Sequence, residues 1–125
     1  MTAPGLDAFD ALVRAAYARL PAEFRALCGN VVIHTAEAAE PEILAEFGID
    51  DPLELSGLFE GVEIAEAGEA PPNHVHLYRR AILAELEETP EITLEELVTH
   101  VLVHEIGHHF GLSDEDMHLI EEAAE

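Results

Sequence analysis

No lysine occurs anywhere in this chain of 125 residues, and its only fixed cations are five arginines set against 27 carboxylates. The formal charge of −22 repels phosphate backbones and anionic lipid alike, so neither nucleic acid nor a membrane is expected as a partner. Cysteine is almost as scarce. Cys28 stands alone, which excludes an intrachain disulfide framework and fits a reducing, cytoplasmic setting. The opening residues Met1-Thr2-Ala3-Pro4-Gly5 carry neither the basic nor the apolar region of a signal peptide. No apolar run approaches the length that spans a bilayer. Repeats, low-complexity tracts and linkers are missing too, and the acidic residues are scattered, so one domain over residues 1–125 is expected. A hydrophobic content of 49% is that of a chain with a buried core.

What the chain does have is histidine and glutamate in a particular order. His104-Glu105-Ile106-Gly107-His108-His109-Phe110-Gly111-Leu112-Ser113-Asp114 reads H-E-x-x-H-x-x-G-x-x-D. On a helix, His104 and His108 stand about 6 Å apart along the axis and roughly 40° apart around it. Their rings can lean together to bring two nitrogens about 2.0–2.1 Å from one ion, the distance zinc requires. Glu105 projects from the adjacent angle, beside the ion rather than onto it, where a carboxylate can take a proton from an attacking water. Gly111 can adopt the left-handed conformation that ends a helix and reverses the chain. That reversal would bring Asp114 in as a third ligand and leave a fourth position open. Two imidazoles, one carboxylate and an open position suit zinc best among common ions.

In a chain with 8 histidines and 27 acidic residues, H-E-x-x-H alone would arise by chance in about one such sequence in ten. The glycine and aspartate at their offsets reduce that to below about one in a thousand. The flanking residues also supply a helix to carry the string. Thr93 and Glu96 form a T-x-x-E capping box, and Ile92 with Leu97 forms the matching staple. Leu97, Val98, Val101, Leu102, Val103 and Ile106 then cover nearly every side, which predicts a buried helix. Polar groups on such a helix need partners, and a metal is one. Asp114 has a plainer reading as well, because Ser113-Asp114-Glu115-Asp116 is an ordinary helix start with a serine cap and an acidic first turn. The two readings are compatible. His118, Glu121, Glu122 and Glu125 are its rivals for the third position.

Elsewhere, Leu6, Phe9, Leu12, Val13, Ala16, Tyr17 and Leu20 follow helical spacing. Pro21 can open a short second helix that Gly29 and Asn30 stop. Residues 31–35 form a strongly β-prone run. Residues 41–47 suit a short helix ended by Gly48. Residues 58–64 predict a strand weakened by Gly61, and residues 67–72 a loop. Residues 74–80 predict another strand, although 77–86 also carry a helical reading. The motif helix is expected over 93–110 and a last helix over 114–123.

The string resembles the Asp-type zincins, in which aspartate replaces the third histidine of metzincins. The longer run from His104 to Asp116, with Leu58-Phe59-Glu60-Gly61-Val62 and Leu77-Tyr78-Arg79-Arg80 upstream, resembles the minimal zincin-like metallopeptidase family of small bacterial proteins. The resemblance implies a small α+β fold, a short mixed sheet packed on helices with a buried active-site helix. It implies a hydrolase acting on a peptide or protein substrate, with one zinc on His104, His108 and Asp114 and with Glu105 as general base. It further implies that residues 58–64 supply the sheet edge that holds substrate, through Gly61 and Val62. Met117 follows the motif too closely to serve as the methionine turn of metzincins. Two other classes stay open: a metal-binding module that binds a partner without cleaving it, and a protein whose zinc is structural. Glu105 argues against the second, since a structural site has no use for a general base.

The remaining polar residues have plainer expectations. His74 and His76 alternate onto one strand face, expected to be exposed, with a second metal as the alternative. His100, one turn before His104, is expected to cap the edge of a packed face, with a ligand role as the alternative. His109, outside the ligand positions, should face solvent or lie just behind the ligands, and His34 should be a hydrogen-bonded core histidine. Tyr78 or Arg79 could stabilise an oxyanion, although an ion pair is the expected role of each arginine.

Overall fold

The computed structural model describes residues 4–60 and 73–124. Helix α1 (Leu6–Ala18) turns Phe9, Val13 and Ala16 inward, and α2 (Ala22–Cys28) follows Pro21 and stops at Gly29, whose φ of 67° suits glycine. Strand β1 (Val31–Ala36), helix α3 (Pro41–Glu46) and a single 3-10 turn at Pro52–Glu54 lead to β2 (Gly57–Glu60). Strand β3 (Asn73–Tyr78) runs straight into α4 (Arg79–Glu88), and α5 (Leu94–His109) and α6 (Asp114–Ala123) complete the order. This is an α+β architecture with a mixed sheet, as expected.

The sheet order is β1-β3-β2, with β1 parallel and β2 antiparallel to β3. Side chains alternate across it, so Ile33, Val75 and Leu77 face inward to join Phe9, Val13, Val98, Leu102 and Ile106 in the core. Each fully buried leucine, isoleucine or phenylalanine contributes about 1.5–3 kcal/mol, and α5 supplies more of them than any other element. Its buried residues Leu97, Val98, Val101, Leu102, Val103 and Ile106 lie all around the axis. The helix is therefore enclosed, with α1, α4 and α6 on its flanks and the sheet across it.

Polar contacts pin α1 to the sheet. Thr35 Oγ1 donates to Asp10 at 2.7 Å, and Arg14 donates to Asp10 at 2.9 Å and to the Ile33 carbonyl at 3.1 Å. Arg14 first, and Thr35 second, hold the Asp10 carboxyl below its ordinary range. On the sheet's outer face, Tyr78 packs with Ala39, Leu44 and Ala81 in a second apolar cluster. His34, His74, His76 and Glu60 share that face with the exposed Val32.

Several expectations need correction. The strand expected over 74–80 ends at Tyr78; Arg79 and Arg80 begin α4, which extends the helical reading of this stretch to Glu88. No glycine or proline separates strand from helix there, so local sequence offered no boundary. The first helix stops at Ala18, two residues short. Within the strand expected over 58–64, β2 covers the described part; Gly61 and Val62, like the loop at 67–72, lie outside the described residues. Among the described residues, no helix is long and apolar enough to cross a membrane.

Candidate metal centre

The capping box forms as read: Glu96 N–H donates to Thr93 Oγ1 at 3.1 Å, and Thr93 N–H donates to Glu96 Oε1 at 3.0 Å. From that start α5 carries the motif to its last turn. Gly111, with φ of 72°, reverses the chain, and Leu112 N–H closes on the Gly107 carbonyl at 2.9 Å. Ser113 then caps α6 by accepting from Asp116 N–H at 3.1 Å. Asp114 is the first residue of α6 and is exposed.

Gly107 has a packing role inside the motif. A Cβ built there would lie 2.5 Å from Met117 Sδ, so the absent side chain lets α6 close onto α5. Met117 is fully buried in that contact. The close approach brings carboxylates from α6 beside imidazoles of α5.

His104 is half-buried, and its ring meets that of His108 edge-on at 5.4 Å between centroids. On its other side it meets His100 at 4.0 Å. Burial first, and His100 second, hold the His104 ring below its ordinary pKa, while Glu121 and Asp114 act against them. A ring kept neutral has a lone pair to offer. His100 Nδ1 donates to Glu121 Oε1 at 2.6 Å, which leaves its other ring nitrogen as the one that could ligate.

Ligand atoms of His100, His104 and Glu121 all lie within 4.8 Å of one another. Two imidazoles and a carboxylate so gathered form a donor set that fits zinc. His108 and Asp114, the partners expected from the string, are not in this group. His108 is exposed beside His104, and Asp114 reaches His104 through its field. Sequence reasoning had His100 only as an alternative and Glu121 only as a rival. The signal for His100 was its one-turn spacing from His104. Glu121 had none, because its position depends on how α6 folds back. His118, the other rival, pairs with Glu122 at 3.1 Å on the surface.

Glu105 is half-buried, and burial pushes its carboxyl up while His108 acts against the shift. With His100 and Val101 it forms one wall of a cleft of about 280 Å³; Ser56, Gly57 and Glu85 contribute to the rest. A Cβ on Gly57 would stand 2.9 Å from Val101 Cγ1 and 3.2 Å from Glu105 Cγ. Glycine there lets β2 press against the helix beside the carboxylate.

Other candidates fall elsewhere. Tyr78 is buried in the outer cluster, and Arg79 pairs with Glu37 at 2.8 Å while donating to the Pro4 carbonyl at 2.7 Å. The arginine is thus an ion-pairing residue, as expected. His109 is exposed and packs on Phe59. His34 belongs to the outer sheet face rather than the core.

A comparison with curated proteins finds no match. A family model does match: the one described as zincin-like metallopeptidase covers residues 28–124, a span that includes the whole sheet, α5 and α6. Capped helix, H-E-x-x-H string and α6 carboxylates all fall within that span, and the chain belongs to the zincin-like metallopeptidase family.

Proposed function

We propose that this chain is a zinc-dependent peptidase with Glu105 as its general base. The observation that carries the reading is a half-buried carboxylate, raised by burial, in the wall of a cleft beside the imidazoles of α5. His104 and His108 would hold the ion, with Asp114 as the third ligand that the string selects. A second ligand set, His100 and His104 with Glu121, is favoured by their gathered donor atoms. Bound zinc would supply a Lewis acid for both water and the scissile carbonyl.

The chain's own groups do the rest. Glu105 accepts a proton as water oxygen bonds to the carbonyl carbon. It then passes that proton to the departing amine nitrogen as the C–N bond breaks. Burial raises the proton affinity of Glu105, which suits both halves of that transfer. Strand β2 pairs with β3 and has its other edge unpaired among the described residues, so an extended peptide can add there through backbone hydrogen bonds. Glu54 and Glu85 at the cleft, with Glu60 further along β2, favour peptides with basic side chains near the cleavage point. The lone, buried Cys28 supports a cytoplasmic setting.

Cleavage of a peptide library by the zinc-loaded chain tests the reading. Glu105→Gln should lower hydrolysis by about 10²–10⁴-fold while leaving zinc content unchanged. Asp114→Ala should weaken zinc binding more than Glu121→Gln; the reverse order selects the second ligand set. Wild-type hydrolysis by Glu105→Gln would refute Glu105 as the base.

A further inference from the structure

Leu119 of α6 is the most exposed large apolar side chain among the described residues, at 56%, and Leu27 of α2 is 48% exposed. Single exposed leucines are ordinary on a protein surface, but these two line one groove. Its volume is about 410 Å³, and buried Phe24 with half-buried Leu112 and Ile120 extends the apolar lining. Helical spacing accounts for it. Asp116, Leu119, Ile120 and Ala123 recur at steps of three and four residues and form one stripe of α6, while Glu23, Phe24 and Leu27 do the same on α2. Met117 and Glu121 occupy another face of α6, toward α5. The groove therefore belongs to a surface that the core and the metal centre leave uncovered.

Charge at the groove has one sign. The charged residues that line it are Glu23 on α2 and Asp116 on α6. Both are exposed, and neither has an ion-pair partner among the described residues. Arg25, the cation of α2, is directed elsewhere and donates to the Leu20 carbonyl at 2.9 Å. An apolar lining between two unpaired carboxylates complements a partner whose apolar stripe is flanked by cations. A second copy of this chain would bring the same two acids and a further charge of −22, which opposes self-association at this face. Backbone chemistry narrows the partner again. Both helices satisfy their interior N–H and C=O groups internally, so an extended strand would find no backbone to pair with. A helix arrives with its own backbone bonds made and binds through side chains.

We propose that the groove between α2 and α6 docks a basic amphipathic helix of a partner protein. Its apolar anchors, at helical spacing, fill the space between Leu27 and Leu119, and its lysines or arginines meet Glu23 and Asp116. The imidazoles and Glu105 of α5 take no part, so docking does not rest on the peptidase reading.

Three synthetic peptides of about four helical turns test the proposal on the full chain. The first carries a leucine stripe at helical spacing with lysines beside it. The second keeps the stripe and has glutamates in place of the lysines. The third has the composition of the first, scrambled so that no stripe forms. Titration followed by leucine and isoleucine methyl resonances should show the first peptide moving Leu27, Leu119 and Ile120 while Leu53 stays in place. The other two should bind about tenfold more weakly or worse. Leu27→Ser with Leu119→Ser should weaken the first peptide by about tenfold or more. Glu23→Gln with Asp116→Asn should weaken it by about two- to tenfold, and added salt should erase that difference. The comparison of peptides on the wild type needs no substitution, so it decides the matter even where a variant fails to fold. Equal binding of the scrambled peptide, resonance shifts spread over the acidic surface, or a dimer of the free chain that covers these leucines overturns the proposal.

Discussion

The imidazoles of α5 and those of the outer sheet face are both groups of rings in mutual contact, but they are assembled by different physics. His100, His104 and His108 recur every four residues, so one helix brings them together whatever the rest of the fold does. His34 is 40 residues from His74 along the chain, and only the β1–β3 register places them side by side. A slip of one residue in that pairing would send His34 to the core face. Carboxylates differ as well. The helix group takes Glu121 and Asp114 from α6, whereas the sheet group has Glu60 from the neighbouring strand. A local cluster thus tolerates tertiary change until α6 moves, and a non-local cluster fails with the sheet.

Gly57 tests that contrast with the largest effect, because it touches both regions. A Cβ there would meet Val101 Cγ1 at 2.9 Å and the His76 carbonyl oxygen at 3.1 Å. The branched valine and the backbone have little room to yield, so Gly57→Ala should cost about 1–3 kcal/mol and lower the melting temperature. Displacement of Glu105 should reduce peptide hydrolysis by up to about 100-fold, while zinc uptake at α5 persists. Unchanged stability and rate would show that β2 and α5 are not in tight contact.

Gly107→Ala separates the two regions. The new methyl would crowd Met117 Sδ at 2.5 Å, but methionine is flexible, and alanine is the better helix former by about 0.8–1.0 kcal/mol. Net stability should change by less than in Gly57→Ala. Displacing α6 should still weaken zinc binding at α5 and leave the ring contacts of His34 with His74 and His76 alone. Competitive zinc titration reads the first and the ring resonances of His34, His74 and His76 read the second, and disturbance of both regions would break the contrast.

The smallest effect comes from Asp10, which anchors β1 from behind through Thr35. Its side chain is partly exposed, so Asp10→Asn should cost a few tenths of a kcal/mol at neutral pH, the range of exposed pairs. The folded-state pKa lies below its ordinary 3.8. That stabilisation is therefore present above the ordinary value and is lost as pH falls through the lower, folded one. Chemical denaturation should show wild type and Asp10→Asn converging in strongly acidic solution. A constant difference across that range would exclude the carboxylate as its source.

Much of the helical half was legible because its signals are local. The capping box at Thr93, the all-round apolar pattern of α5 and the serine cap of α6 each occupy a few consecutive residues, and all appear in the structure. Helix α4 was obscured because Leu77 to Leu86 satisfies a strand pattern at one end and a helical one throughout. His34 was misplaced for a related reason: alternation along a β-prone run reveals two faces and not which one meets the core.

Residue order by itself determined the helical spacing of the α5 imidazoles, the carboxylate beside them, the glycine that lets the chain reverse and the acidic field around the whole. Helix geometry makes those relations unavoidable once α5 forms. Tertiary structure alone decided that Glu121 reaches His100, that β2 presses its glycine against Glu105, and that His34 meets His74 and His76. Each of these joins segments far apart in the chain, through the packing of Met117 on Gly107 or the pairing of strands. Such distances follow from how surfaces fit in three dimensions, which no spacing along the chain encodes.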